Sequence, residues 1–247
     1  MSKTVSILLL IRPLNCLLAG VAVWVGAYLT LAPLQILPVT LTAFCAFLLC
    51  AAGNMFNDIK DIEADKISHP NRVLPTGRLS VSYAHRLAVT ANVAAVALSA
   101  LAGIPVVTVA VITVLLLYLY NWRLKRIPLL GNLLVAVVAG ATFIAGGLAS
   151  SPGDAFIVPG PLIPTCFAFL LHLMRELVKD ILDIEGDRVV GVVTLPSVIG
   201  ARWVLAMVAV LSILLSWTTY QPYVLEWYGV RYLWITMLGV LLPTVSL

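Results

Sequence analysis

Charge is scarce in this chain. Asp, Glu, Lys and Arg make up 11% of its 247 residues, against about 25% in an ordinary soluble domain. Hydrophobic residues reach 62% and mean hydropathy is +1.06, which argues against a soluble globular domain. Cysteine is sparse as well. Cys16, Cys45, Cys50 and Cys166 form no CxxC pair and have no His at ligand spacing, so neither a disulfide frame nor a zinc site is expected; they read as small apolar fillers. A Walker loop, a Ser/His/Asp signature and a dinucleotide fingerprint are also missing. The formal charge of +4 needs no nucleic-acid partner, because its distribution along the chain accounts for it.

What the chain has instead is long apolar runs, several of which reach the ~20 residues that span a bilayer as a helix. They do not alternate strictly, so an all-α polytopic membrane protein fits and a β-barrel does not. Eight spans are expected, near residues 5–31, 34–57, 82–103, 104–120, 129–150, 157–179, 202–220 and 230–247, forming one membrane-embedded domain over 1–247. Only "GIP" separates the third from the fourth. The last run ends without a polar flank, which suggests that a final, ninth helix is lacking. Arg12-Pro13 interrupts the first run and no small-residue cleavage site follows, so no removed leader is expected.

When loops are assigned alternately to two sides, every Lys and Arg falls on one side except Arg231. That side is expected to be cytoplasmic. Of the acids, only Asp154 and Glu226 lie opposite, so the chemistry should face the cytoplasm. There, "DIKDIEADK" from Asp58 and "DILDIEGDR" from Asp180 match at a constant offset. Four spans lie between them, so the chain reads as two four-helix repeats whose acidic ends emerge on the same side. Repeats of this kind often place a binding site between their halves.

On a continuous helix Asn57, Asp61 and Asp65 share one face, with Asp58 beside it. Asp183 and Asp187 repeat the pattern, with Asp180 in the place of Asp58. Two acidic ends facing each other repel unless cations bridge them, and hard oxygen donors suit Mg²⁺ with a phosphate-bearing ligand. A metal-bound diphosphate is the expected ligand. A single such stretch usually reads as a solvated helix face; two copies at membrane-helix ends argue against that reading. Arg12, beside Asn15, either anchors a phosphate or snorkels to the interface. Arg72 and Arg78 follow the first acidic copy, where a basic side chain can cover a diphosphate. Lys179 adjoins the second copy. "YNWRLKR", with Tyr120, Arg123, Lys125 and Arg126, is either a phosphate contact or a topogenic basic loop. His172 reads as a hydrogen-bonded histidine, not a ligand.

The segments "NDIKDIEAD" and "DILDIEGD" resemble the N-D-x-x-D-x-x-x-D and D-x-x-x-D motifs of the UbiA superfamily of intramembrane prenyltransferases, and the resemblance covers nearly the whole chain. It implies a ring of helices around a central apolar cavity with both motifs at the cytoplasmic mouth. It also implies Mg²⁺ held by Asn57, Asp61, Asp65, Asp183 and Asp187, with Asp58 and Asp180 at further motif positions. Family members usually have nine spans. Their Tyr-x-x-x-Lys becomes Tyr120 with Lys125, one residue longer, which leaves Arg123 or Lys125 open as the diphosphate contact. "HPNRVLPTGRLS", "YNWRLKRIPLLGN" and "RELVKDILDIEGDRVVGVVTLPSVIG" are similar to members that build archaeal-type ether lipids. That likeness implies transfer of a geranylgeranyl group from its diphosphate to a lipid-like acceptor, geranylgeranylglyceryl phosphate. Asp61, Asp65, Asp183, Asp187 and Lys125 would then be catalytic, and Lys125, Arg72 or Arg123 would hold the acceptor's phosphate. The alternatives are an aromatic acceptor, as in quinone or chlorophyll-type pathways, and a cation transporter, which needs its acids near mid-membrane. A CDP-alcohol phosphotransferase keeps its acids in one segment, whereas this chain splits them in two.

Overall fold

The apolar runs become helices, as seen in a computed structural model that describes residues 2–189 and 191–242. Ser2 accepts a hydrogen bond from the Val5 amide and so caps α1 (Lys3–Ile11). Arg12 then adopts a left-handed conformation (φ 56°, ψ 68°), and α2 (Pro13–Tyr28) restarts with Pro at its first position, where the missing N–H costs nothing. The two helices are bent by 48°. Next come α3 (Ile36–Lys60), the short α4 (Ile62–Ser68) and α5 (Val81–Ala102), the last capped by Ser80. The soft boundary at "GIP" resolves at Gly103, whose φ of 126° turns the chain directly into α6 (Ile104–Trp122). A 3₁₀ turn (Leu124–Arg126) leads to α7 (Leu130–Ser150). Then follow α8 (Leu162–Leu182), α9 (Ile184–Val189), α10 (Leu195–Ile199), α11 (Ala201–Val224) and α12 (Val230–Thr236), which a π-helical stretch extends to Leu241. No strand forms among the described residues.

Five helices, α3, α5, α6, α7 and α11, are long and apolar enough to cross a membrane, and the bent α1–α2 pair makes a sixth. The eight expected spans are therefore not all reproduced on length and composition. The helix α8 has the length, but Arg175, Glu176, Lys179 and Asp180 crowd its last two turns. The eighth run is short up to Leu241, and its end lies outside the described residues. Leu101, Ile104, Leu115 and Ile213 stand largely exposed on these helices, the arrangement that suits hydrocarbon and not water.

Two glycines bring α2 and α7 into close contact. A Cβ on Gly26 of α2 would stand 1.9 Å from the Phe143 carbonyl oxygen, and one on Gly146 of α7 would stand 1.9 Å from that of Val23. Backbones this close give the van der Waals packing that drives helix association where lipid supplies no hydrophobic force. Around this contact α3 packs against α2, α5 and α7, and α8 against α7 and α11. Leu10, Cys16, Met55, Leu74 and Ala88 form one core beneath the acidic end of α3, and Ile163, Met174 and Leu215 form another around α8. All four cysteines are free; Cys16 and Cys45 fill cores as expected, whereas Cys166 is exposed.

Candidate active site

Both acidic copies break their helix at the same point. Asp61 ends α3 at φ −95°, ψ 4°, and Asp183 ends α8 at φ −95°, ψ 0°. Each sits in the sparsely populated bridge region where many active-site residues lie. The chain then resumes as α4 or α9, so the single continuous acidic face read from the sequence is a broken one. These two short helices pack against each other. Gly186 permits it: a Cβ there would lie 2.2 Å from Ser68 Oγ and 3.0 Å from the Ala64 carbonyl oxygen.

The result is a cavity of about 590 Å³, its mouth included, into which Asp61 and Asp65 face from one copy and Asp180, Asp183 and Asp187 from the other. Glu176, Tyr120, Lys125, Lys179 and Arg72 complete its charged and aromatic lining, and Ile127, Pro128, Val192 and Val193 are among its apolar residues. Six carboxylates therefore meet three cations among the described lining residues. The Lys125 ammonium pairs with Asp61, which also accepts a bond from Asn57 Nδ2 at 2.8 Å. Arg72 donates to Asp65 at 2.6 Å, Lys179 lies 3.4 Å from Asp183, and Asn132 donates to Asp180 at 2.9 Å. Burial pushes the Asp187 carboxyl above its ordinary value against the pull of Lys125. For Arg72, burial works against the charged form, but the bond to Asp65 and the nearby carboxylates outweigh it and raise its pKa.

Lys125 and not Arg123 enters the cavity. Arg123 ends α6 and is exposed, whereas the 3₁₀ turn folds the chain over Gly131, whose missing side chain leaves room for Lys125 and the Tyr120 ring. Asp58 departs from the alignment of the two copies. The sequence aligns it with Asp180, yet it lies outside this cavity, 4% exposed and bonded at 2.5 Å to Arg12. The sequence pattern does not mark His69, Glu176, Asn132 or Ser68 as site residues. His69 Nε2 lies 3.1 Å from Asp183 Oδ1. Glu176 carried a signal, being one helical turn before Asp180; the others carried none. His172 bonds the Ala168 carbonyl oxygen at 2.9 Å, as a structural histidine does.

Among the described residues no three His, Cys, Asp or Glu side chains close on one point as metal ligands do. Lys125, Arg72 and Lys179 stand where a cation would neutralise the carboxylates. The donor set nonetheless fits a hard divalent ion: it is all oxygen, it carries an excess of negative charge, and Asp65 Oδ2 is buried without a hydrogen-bond partner.

A sequence model of the UbiA prenyltransferase family matches residues 15–247. Digeranylgeranylglyceryl phosphate synthase of Methanopyrus kandleri is 35% identical over 215 residues, covering 87% of this chain and 77% of its own. A solved structure of a digeranylgeranylglyceryl phosphate synthase is 31% identical, with a TM-score of 0.72 over 100% of this chain and 88% of its own. A UbiA homologue from Archaeoglobus fulgidus, solved with GPP and Mg²⁺ bound, shares the fold at 18% identity, with a TM-score of 0.71 over 98% of this chain and 85% of its own.

Proposed function

The chain belongs to the UbiA prenyltransferase family, and from that premise we propose that it transfers a geranylgeranyl group from geranylgeranyl diphosphate to the free hydroxyl of geranylgeranylglyceryl phosphate, in ether-lipid synthesis. The observation that carries this reading is the single cavity shared by both acidic copies, with Lys125, Arg72 and Lys179 interleaved among the carboxylates. Asn57, Asp61, Asp65, Asp183 and Asp187 are the residues that would hold Mg²⁺. When bound, the ion neutralises the donor's diphosphate and stabilises the departing pyrophosphate.

The chain's own residues supply the rest. Asn57 holds Asp61 in one orientation through their hydrogen bond, as supporting shells orient metal-binding groups. Lys125, Arg72 and Lys179 put positive charge where the leaving diphosphate gathers negative charge. Tyr120, buried in the wall, fixes the diphosphate's position. The bond between the allylic carbon and the diphosphate oxygen breaks, and its electron pair leaves with the pyrophosphate. The acceptor's hydroxyl oxygen bonds to that carbon, and its proton goes to the departing pyrophosphate. The prenyl tail runs among apolar side chains of the bundle, where water does not quench the developing cation. The whole chain acts as one domain, and the cavity opens to the cytoplasm, as the concentration of Lys and Arg at that end supports.

The deciding assay offers purified protein geranylgeranyl diphosphate, Mg²⁺ and a panel of acceptors, with products identified by mass. The expected product is digeranylgeranylglyceryl phosphate. A prenylated aromatic acid in its place overturns the choice of acceptor, and no product from any acceptor overturns the activity.

A further inference from the structure

A second recess, about 900 Å³ with its mouth, lies behind the Arg72 and Ser68 wall of the acidic cavity. Its chemistry is the reverse of the cavity's. Arg12, Arg72, His69 and Asn71 line it, with Asp58 the one carboxylate among its described lining residues. Leu9 and Val73 give it an apolar side. Arg12 Nη2 lies 2.5 Å from Asp58 Oδ1, and Arg72 Nη1 lies 4.0 Å from the same oxygen. Arg12 and Arg72 thus flank the buried Asp58 while Arg72 also bonds Asp65 at 2.6 Å, so two guanidiniums face two carboxylates and keep N–H donors beyond those these bonds use.

Arg12 is held there by the backbone. It takes the left-handed conformation at the α1–α2 break, which is strained for a residue with a side chain. At the break the Ile11 carbonyl oxygen accepts from Cys16 Sγ at 3.1 Å and from Asn54 Nδ2 of α3 at 2.9 Å. One turn further along α3, Asp58 takes the Arg12 side chain. Two bonds from α3 therefore clamp the break and aim the guanidinium into the recess.

We infer that this recess is the head-group subsite for the acceptor, receiving a lipid phosphate monoester while the acidic cavity receives the donor's diphosphate. The inference rests on the prenyl-transfer reading and adds which ligand goes where. Two guanidiniums offer paired N–H donors suited to a phosphate, and the Asn71 amide adds a donor. Leu9 and Val73 let the lipid's chain continue along the exposed apolar face of α1. The recess and the cavity share Arg72 and Ser68, so a glyceryl unit anchored by its phosphate on one side reaches the carboxylate side with its hydroxyl. Arg72 lies between the two spaces, whereas Arg12 lines the recess alone and Lys125 and Lys179 line the cavity alone.

The test compares wild type with Arg12→Gln, and with Arg12→Gln/Asp58→Asn in case a lone buried Asp58 prevents folding. Acceptors are geranylgeranylglyceryl phosphate and its neutral counterpart, geranylgeranylglycerol. The substitution is expected to raise the KM for the phosphate-bearing acceptor at least tenfold and to leave the KM for geranylgeranyl diphosphate within twofold. With the neutral acceptor, wild type and variant should perform alike, which a merely structural role for Arg12 would not produce. Inorganic phosphate up to millimolar levels should compete weakly with the acceptor; competition as tight as the lipid's would assign the recess to free phosphate and overturn a lipid subsite. A raised KM for the diphosphate instead, or equal losses with both acceptors, also overturns the inference and leaves the enzyme reading intact. Absence of turnover in wild type defeats the enzyme reading. In that event, retention of geranylgeranylglyceryl phosphate by wild type but not by Arg12→Gln, read by native mass spectrometry, still supports the subsite, and equal retention removes it.

Discussion

Asp58 and Asp180 occupy matching places in two similar sequences, yet only Asp180 faces the acidic cavity. Their surroundings make the difference. Asp58 is taken by Arg12, which lies 46 residues away, and Asp180 by Asn132, which lies 48 away. Periodicity along a helix cannot report a partner that arrives from another helix, so the acids were legible in the sequence and their division of labour was not. Lys125 was legible only as one of two choices, because the turn that points it inward depends on the missing side chain of Gly131. Two outcomes follow at this scale. Asp61→Ala should abolish product formation while the detergent-solubilised protein remains folded, since the change removes a cavity carboxylate and no core packing. Asn57→Ala should raise the Mg²⁺ concentration for half-maximal turnover by about 10–100-fold, the usual cost of losing a residue that orients a metal-binding group, measured in a Mg²⁺ titration.

Helices were readable from hydropathy, and some of their ends from Pro and Gly. Pro13 marks the start of α2 and Gly103 the α5–α6 turn. The break at Asp61 was hidden, because "NDIKDIEADK" contains no Gly or Pro and carries a helical spacing straight through it. The packing of α2 on α7 was equally hidden, since two glycines in apolar runs do not announce that they face each other. Gly26→Leu should be costly, because its first side-chain atom would fall 1.9 Å from a carbonyl oxygen. Overpacking typically costs about 1–3 kcal/mol, occasionally more, and this contact is with backbone, so the upper end is expected as a lowered unfolding midpoint. Substituting Gly153, which has open space around it, should leave that midpoint unchanged.

Across the whole molecule, charge sorting gives a topology that labelling can check. With the exposed native Cys166 replaced by Ser, a thiol introduced at Glu63 should react with an impermeant reagent only from the cytoplasmic side, and one at Gly153 only from the opposite side. Reaction of both from one side would overturn the placement of the cavity. Chelation supplies a second global measurement. Removing divalent ions should stop turnover, and Mg²⁺ added back should restore it and raise the unfolding midpoint, because an ion that binds only the folded state stabilises it by mass action.

The contact between α4 and α9 has a consequence for how such a chain can change over generations. Gly186 of the second half sits against Ser68 and Ala64 of the first like meshed teeth. A bulkier residue at Gly186 or Ser68 would be tolerated only with a matching retreat across the seam. The two halves are free to diverge along their lipid-facing flanks, but at this seam they are obliged to evolve together.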